Sequence, residues 1–309
     1  MPLISEWQPS GPFQGMVYGA AKTGKTAGAL TFPRPVVLDF DRGVATARSE
    51  WFVKTYGLRW VFYETFVEKD MNKGVPKTAN AFDDACKFFD EWMKPSGRWT
   101  SPVNGKRYEV GRDQFDTFVI DSGTTLSEHA QYKAIIVLGS FSKPLSFTHK
   151  EALSLGVIIP KIQDFGSERS LVEQFIDMVR DSGKNVVLIC HEKEVISEAG
   201  TQTGIVPLLT GKSSETVPLK FDEVYNLRIK KVGLETTRYL QTEPDGVRKV
   251  GSRYGIPDES AWNYDTIQTA LKKIKAAQAS QVVTSDTQGR TTSADPTQTP
   301  AIAGERALP

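Results

Sequence analysis

The sequence is poor in the residues on which several kinds of protein depend. Cysteine occurs twice in 309 residues, at Cys86 and Cys190, both in apolar surroundings. That argues against a disulfide scaffold, and the two read as reduced core thiols in a cytoplasmic setting. Histidine occurs three times, at His129, His149 and His191. At these spacings the histidines and cysteines make no zinc pattern. No apolar run approaches the ~20 residues of a membrane span. The opening Met1-Pro-Leu-Ile-Ser-Glu-Trp7 lacks the basic region and hydrophobic stretch of a signal peptide, so no membrane partner is expected. An excess of charge of one sign is missing too, with 38 Lys and Arg against 37 Asp and Glu and a net charge of +1. A monomer that coats DNA usually carries a distinctly basic face. Any nucleic-acid contact must therefore come from local clusters, or from one surface repeated around an oligomer.

What is present is an ordinary globular composition, 39% hydrophobic and 24% charged, in a chain long enough for one large α/β domain or two small ones. Its most informative stretch is Gly19-Ala-Ala-Lys-Thr-Gly-Lys25-Thr26, which fits G-x-x-x-x-G-K-[ST] without a mismatch. Glycines at the two ends let the backbone curl so that successive N–H groups point at phosphate oxygens. Lys25 reaches the β- and γ-phosphates, and the Thr26 hydroxyl takes a position on Mg²⁺. The helix that opens here directs its positive end at the anion. Gly19, Ala20, Ala21, Lys22, Thr23, Gly24, Lys25, Thr26 and Ala27 form the expected nucleotide-binding set. Context agrees: Gly15-Met-Val-Tyr18 reads as a buried strand before the loop, and Ala27-Gly-Ala-Leu30 as a small-residue helix after it.

Further buried strands are expected at Val36-Val-Leu38, Trp60-Val-Phe-Tyr63, Phe115 to Asp121 and Val186-Val-Leu-Ile189. Ligands of parallel sheets gather at such strand ends. Asp39-Phe-Asp41 follows the first of these, and Asp41 is the candidate for orienting the attacking water. The other reading is that Asp39 or Asp41 caps a helix from Gly43 to Trp51. Asp121 ends its strand as a Walker B acid and would bind Mg²⁺ through water, opposite Thr26. His191 ends the next and is placed to sense the γ-phosphate, unless local hydrogen bonds alone account for it. Phe82, Cys86, Phe89 and Met93 share the spacing of one helical face, as do Phe165, Leu171, Val172, Phe175, Ile176 and Val179. Residues 64–77 read as a loop, and residues 127–150 as helix and then loop. Residues 95–113 carry Arg98, Lys106, Arg107 and Arg112 interleaved with Trp99 and Tyr108, either a base-stacking segment or a solvated loop. Residues 194–218 show no periodicity and read as a long functional loop. Residues 221–242 read as an antiparallel hairpin. Lys249 and Arg253 follow it, either solvated or projecting into a neighbouring subunit's nucleotide site as an arginine finger does. Residues 261–277 read as a last helix. The expected boundaries are one domain over 1–277 and a disordered tail over 278–309, rich in Thr, Ser, Gln, Ala and Pro.

Taken together, Tyr18-Gly-Ala-Ala-Lys-Thr-Gly-Lys-Thr26, Phe118-Val-Ile-Asp-Ser122, Leu188-Ile-Cys-His-Glu-Lys193, Pro207-Leu-Leu-Thr-Gly-Lys212 and Gly251-Ser-Arg-Tyr-Gly255 carry a resemblance. Over residues 12 to 275 the chain resembles the RecA-like core P-loop ATPases. The nearest group is phage-encoded: AAA-type nucleotide-binding proteins with a stand-alone core, associated with recombination and single-strand annealing. The resemblance implies an α/β fold with a mostly parallel sheet flanked by helices and an antiparallel extension. It implies ATP and Mg²⁺, hydrolysis stimulated by single-stranded DNA, self-association into a ring or filament, and a place in the cytoplasm of a host bacterium. A single-strand-binding protein is a further implied partner. Asp41 falls where RecA-type proteins place a glutamate one methylene longer, and His191 where RecA itself has a polar amide. The loop after His191 corresponds to a second DNA-binding loop, and Arg253 to a trans-acting arginine. The companion lysine expected two residues before that arginine is replaced by Gly251, which leaves Lys249 as the partner. Three rivals share the P-loop: a helicase-like or packaging motor, a small-molecule kinase with an arginine-bearing lid, and a scaffold held together by ATP.

Overall fold

The apolar runs become strands, and the strands alternate their side chains between two helical layers. β1 (Gln14–Gly19) leads through the P-loop into the short helix α1 (Lys25–Ala29). β2 (Pro35–Asp39) is followed by a 3-10 turn at Gly43–Arg48 and by α2 (Glu50–Tyr56), which Ser49 caps by accepting from the Phe52 N–H. Next come β3 (Phe62–Thr65), the two-residue strands β4 (Met71–Asn72) and β5 (Val75–Pro76), α3 (Ala81–Met93), and the hairpin β6 (Gly97–Thr100) with β7 (Arg107–Val110). β8 (Thr117–Asp121) runs into α4 (Gly123–Lys133), and α5 (Ile162–Arg180) into the long strand β9 (Asn185–Ile196). β10 (Gln202–Pro207), α6 (Ser213–Thr216), β11 (Glu223–Val232), β12 (Glu235–Gln241), β13 (Gly251–Ser252) and α7 (264–274) complete the order. The computed structural model describes residues 11–138, 162–233, 235–274 and 276, apart from 58, 70, 73, 74 and 77. The loop expected around His149 and the tail expected over 278–309 lie outside the described residues.

The main sheet has the order β12-β11-β1-β9-β8-β2-β3, with β10 on β9 and β13 on β11. From β11 to β3 every neighbour is parallel, and β10, β12 and β13 are antiparallel additions. Central strands covered on both faces need apolar side chains at every position. Met16, Val36, Leu38, Phe118, Ile120, Val186 and Leu188 meet α3, α4 and α5 on one face. Val17, Val37, Val119, Val187 and Ile189 meet α1, α2 and α7 on the other.

Several expectations change once the chain is packed. The strand after Trp60 begins two residues later, at Phe62, because its pairing with β2 starts there, opposite Val36. Gly43 to Trp51 is not one helix, since Ser49 ends the 3-10 turn and caps α2. α3 buries Phe82, Ala85, Phe88, Phe89 and Trp92, which leaves Cys86 and Met93 on the margin of the stripe. The segment 95–113 is a hairpin, and its Trp99 is buried, donating Nε1–H to Glu64 Oε2 at 2.7 Å. Tyr108 packs edge-on against Phe62 at 5.2 Å between ring centres. These rings belong to the core and are not a base-stacking platform. The long loop expected over 194–218 begins instead as the outer half of β9 and its antiparallel partner β10. Glu192-Lys193-Glu194 hid that strand because it projects past the sheet, where no core demands apolar residues.

One buried acid in this scaffold bears on stability. Glu168 of α5 is fully buried; Ser127 of α4 donates to its Oε1 at 2.5 Å, and its Oε2 has no partner. Burial pushes the Glu168 carboxyl up to about 7. Its folded-state value is thus raised above the unfolded one of about 4.3. The stability it contributes is complete below the unfolded value and is lost as pH rises through the folded one. Glu168→Gln should therefore gain thermal midpoint relative to wild type as pH is raised from about 5 to about 8. Scanning fluorimetry over that range checks it, and a pH-independent difference would contradict a protonated Glu168.

Candidate nucleotide site

The P-loop adopts the curl its glycines and spacing predict. Lys22 and Gly24 have left-handed backbones, φ 63° and 100°, which turn successive N–H groups toward one concavity. Lys25 crosses the loop, donating from Nζ to Gly19 O at 2.9 Å and to Ala20 O at 2.7 Å. Burial pulls its ammonium below the ordinary lysine value, and the Asp121 charge opposes this. Gly19 is required for space, since a Cβ there would lie 2.6 Å from Leu227 O. From the far end of the chain, Trp262 donates Nε1–H to Lys25 O at 2.8 Å and covers Gly28 so closely that a Cβ would meet its ring at 2.0 Å. No sequence signal distinguished Trp262 from any apolar residue ahead of a last helix.

β9 lies between β1 and β8, so the P-loop and Asp121 leave the sheet two strand spacings apart, roughly 10 Å. The loop closes that gap, and Thr26 Oγ1 donates to Asp121 Oδ2 at 2.7 Å. Burial pushes the Asp121 carboxyl up to about 6, against the lowering effect of the Thr26 hydrogen bond. Beside this pair a Cβ on Gly43 would stand 2.6 Å from Asp121 Oδ2 and 3.3 Å from Thr26 Oγ1, so the space they share depends on glycine. The two carboxylates at the end of β2 divide the roles between which the sequence left a choice. Asp39 is buried and holds the start of the 3-10 turn, its Oδ1 accepting from the Gly43 N–H at 2.9 Å. Asp41 faces the cavity, with Oδ2 3.2 Å from His191 Nε2 and Oδ1 accepting from the Thr125 hydroxyl. Burial works against the Asp41 charge, but hydrogen bonds from His191, Thr125 and Ser122 outweigh it and hold the carboxyl below its usual range. One cavity of about 580 Å³ is lined by Lys25, Thr26, Asp41, Asp121 and His191. Four neighbouring strands, β1, β9, β8 and β2, bring them to one place.

Residues 12–254 match the AAA_24 family, described as an AAA domain. The chain belongs to that family. No curated protein matches it in sequence. A solved structure similar to it is that of KaiC-like protein PH0186 from the hyperthermophilic archaeon Pyrococcus horikoshii OT3. The identity is 13% over 75% of this chain and 78% of that one, with a TM-score of 0.35. The chain is an AAA-type P-loop ATPase domain, built on a mostly parallel sheet with an antiparallel extension. P-loop ATPases generally use ATP and Mg²⁺.

Two residues of the AAA domain, Arg238 and Trp51, enter the cavity without having been expected there. Arg238 of β12 lies against the P-loop, its Cδ 3.0 Å from where a Gly24 Cβ would be, and its guanidinium stacks over the Trp51 ring at 5.1 Å. Arg238 Nε is buried without a partner. Arg238 alternates with Thr237 and Tyr239 along an ordinary-looking hairpin strand, so only the β11–β1 pairing shows that this edge overhangs the P-loop. Arg253, by contrast, lies outside its own chain's cavity. β13 pairs with Glu223 and Val224 at the start of β11, the sheet end opposite the P-loop, and Arg253 donates to Asp222 Oδ1 at 2.5 Å. Lys249 lines a different groove, beside β10. Among the described residues no helix is long and apolar enough to cross a membrane.

Proposed function

We propose that this domain binds ATP with Mg²⁺ and hydrolyses it, that it assembles into a ring or filament with nucleotide between subunits, and that it acts on single-stranded DNA in phage recombination or annealing. The observation that carries the enzymatic part is the Thr26–Asp121 contact lying beside the Asp41–His191 pair in one cavity. The P-loop N–H groups and Lys25 would hold the phosphates. Thr26 and Asp121 would hold Mg²⁺, Asp121 through water, and the lack of a side chain at Gly43 keeps the space beside their oxygens clear. Bound there, Mg²⁺ supplies charge neutralisation on the β- and γ-phosphate oxygens. Asp41, kept ionised, orients the attacking water by accepting its hydrogen bond. In a loose transition state, such positioning matters more than early proton removal. His191 fixes the rotamer of Asp41 and reports the presence of the γ-phosphate. Arg253, exposed at the far end of the sheet, fits contact with a neighbouring subunit. A kinase is disfavoured, because the hairpin 97–110 that would imitate an arginine lid is pinned by Trp99 to Glu64.

ATP hydrolysis measured with and without single-stranded DNA, at low and high salt, tests the reading. The expected result is stimulation that salt weakens, because phosphate contacts release counterions. Lys25→Ala should remove nucleotide binding, and Arg253→Ala should spare binding while lowering turnover. Normal hydrolysis by Arg253→Ala would remove the role in a neighbour's site. Hydrolysis that ignores DNA removes the DNA half of the proposal, and no hydrolysis removes its centre. Arg238→Ala should weaken nucleotide binding about tenfold, the scale of one charge-assisted hydrogen bond of about 1.4 kcal/mol, measured by titration calorimetry.

A further inference from the structure

β3 ends the strand order, and among the described residues its outer edge has no strand partner. Along β3 and the 3-10 turn Gly43–Arg48 runs a groove of about 620 Å³ with Val44, Val61 and Tyr63 in its wall. Arg42, Arg48 and Arg59 line it, and Lys106 lines the adjoining hollow on the same strand, together with Arg48 and Tyr63. Among the described residues none of these four cations pairs with a carboxylate. Two acids line the same hollows. Asp39 is bonded to Gly43 and Thr65, and Glu64 to Trp99 and Ser101. Four cations against two carboxylates thus leave an excess of positive charge on one edge of a chain whose net charge is only +1. Exposed aromatics stand with it, Tyr63 at 47% and Trp60 at 50% of full exposure.

We propose that this edge groove is the track of single-stranded DNA, with the arginines and Lys106 on the phosphates and Tyr63 under the bases. The combination of a basic groove and an open aromatic face is what sequence-tolerant single-strand binding uses. The proposal rests on the DNA half of the proposed function and gives it a place and a route to the nucleotide. Asp41, Arg42 and Gly43 are consecutive, and Arg42 holds a left-handed backbone, φ 58°, which a side-chain-bearing residue rarely adopts. That turn sends Asp41 into the nucleotide cavity and Arg42 into the groove, while Gly43 borders the Thr26–Asp121 pair. A phosphate held by Arg42 acts one residue from the group that positions the attacking water.

The test is fluorescence anisotropy of a labelled oligothymidylate of about 30 nucleotides, long enough for several sites, with the full chain and ATP binding measured in parallel. Arg48→Glu and Lys106→Glu should each weaken DNA binding about tenfold or more at low salt. The double variant should reduce the salt slope by roughly 1.4, about 0.7 for each phosphate of a single strand that is no longer neutralised. Tyr63→Ala should cost about five- to tenfold with the salt slope unchanged. Lys272→Glu on α7, which lines neither hollow, carries the same charge change and should leave affinity within about twofold. The location is overturned if the three groove variants bind like wild type, or if Lys272→Glu weakens binding as much as Arg48→Glu. A wild-type chain that binds ATP but no oligothymidylate overturns instead the DNA reading on which the location rests.

Discussion

Gly43→Ala is expected to abolish Mg²⁺-dependent ATP hydrolysis while leaving the fold in place. The added methyl would stand 2.6 Å from Asp121 Oδ2 and 3.3 Å from Thr26 Oγ1, inside the space those two oxygens share. Neither can retreat, because Asp121 is buried at the end of a central strand and Thr26 sits on the first turn of α1. The backbone itself does not object, since Gly43 is not among the residues with positive φ. The penalty therefore falls on the ion site and hardly on the chain. Turnover should fall about a hundredfold or more, the scale seen when electrostatic stabilisation of the transferring group is removed. Nucleotide affinity should lose its response to Mg²⁺. Titration calorimetry with and without Mg²⁺, beside steady-state hydrolysis, measures both. Wild-type turnover in Gly43→Ala would sink the assignment of Thr26 and Asp121 as the Mg²⁺ site.

The second large effect is expected at Asp41. Asp41→Asn should lower turnover about a hundredfold or more with little change in ATP affinity, because it removes the water-positioning carboxylate and none of the phosphate donors. His191→Ala should give a smaller loss, since Thr125 still holds Asp41 from its other oxygen. It should also raise the Asp41 carboxyl toward its ordinary range, because the His191 hydrogen bond is among the contacts that keep it low. The acid limb of the pH–rate profile would then move to higher pH. Single-turnover measurements across pH separate this from a binding defect. Equal ATP affinity and equal turnover in Asp41→Asn would show that the water is oriented by another group, and Glu192 on the same strand as His191 would be next to examine.

The parts legible in the sequence share a local cause. The P-loop, the strand into Asp121 and the strand into His191 are each written within about ten consecutive residues, where glycine freedom, apolar runs and a terminal polar group mark them. The parts misread were those whose environment lies elsewhere in the chain. Trp99 in a segment with four cations looked like a surface ring, yet the buried Glu64, 35 positions away, takes its N–H. Residues 194–196 looked like the start of a loop because half of a projecting hairpin faces solvent, and β10 supplies its pairing from later in the chain.

Sequence alone determined the chemistry available to this domain: a phosphate-binding loop, a hydroxyl and an acid for a divalent ion, and acids at strand ends in a mostly parallel sheet. These follow from short patterns whose physics acts between near neighbours. Tertiary structure decided which of those groups meet. Asp41 and His191 are 150 positions apart and become partners only because β2, β8 and β9 stand in register side by side. Asp39, two residues from Asp41, is turned instead to the Gly43 N–H, because β2 ends at Asp39 and Asp41 lies past it on the bend. Arg238 reaches the P-loop only because β11 pairs with β1 and carries β12 over its end. Strand order is a long-range packing result, set by which apolar faces cover one another, and no window of neighbouring residues contains it.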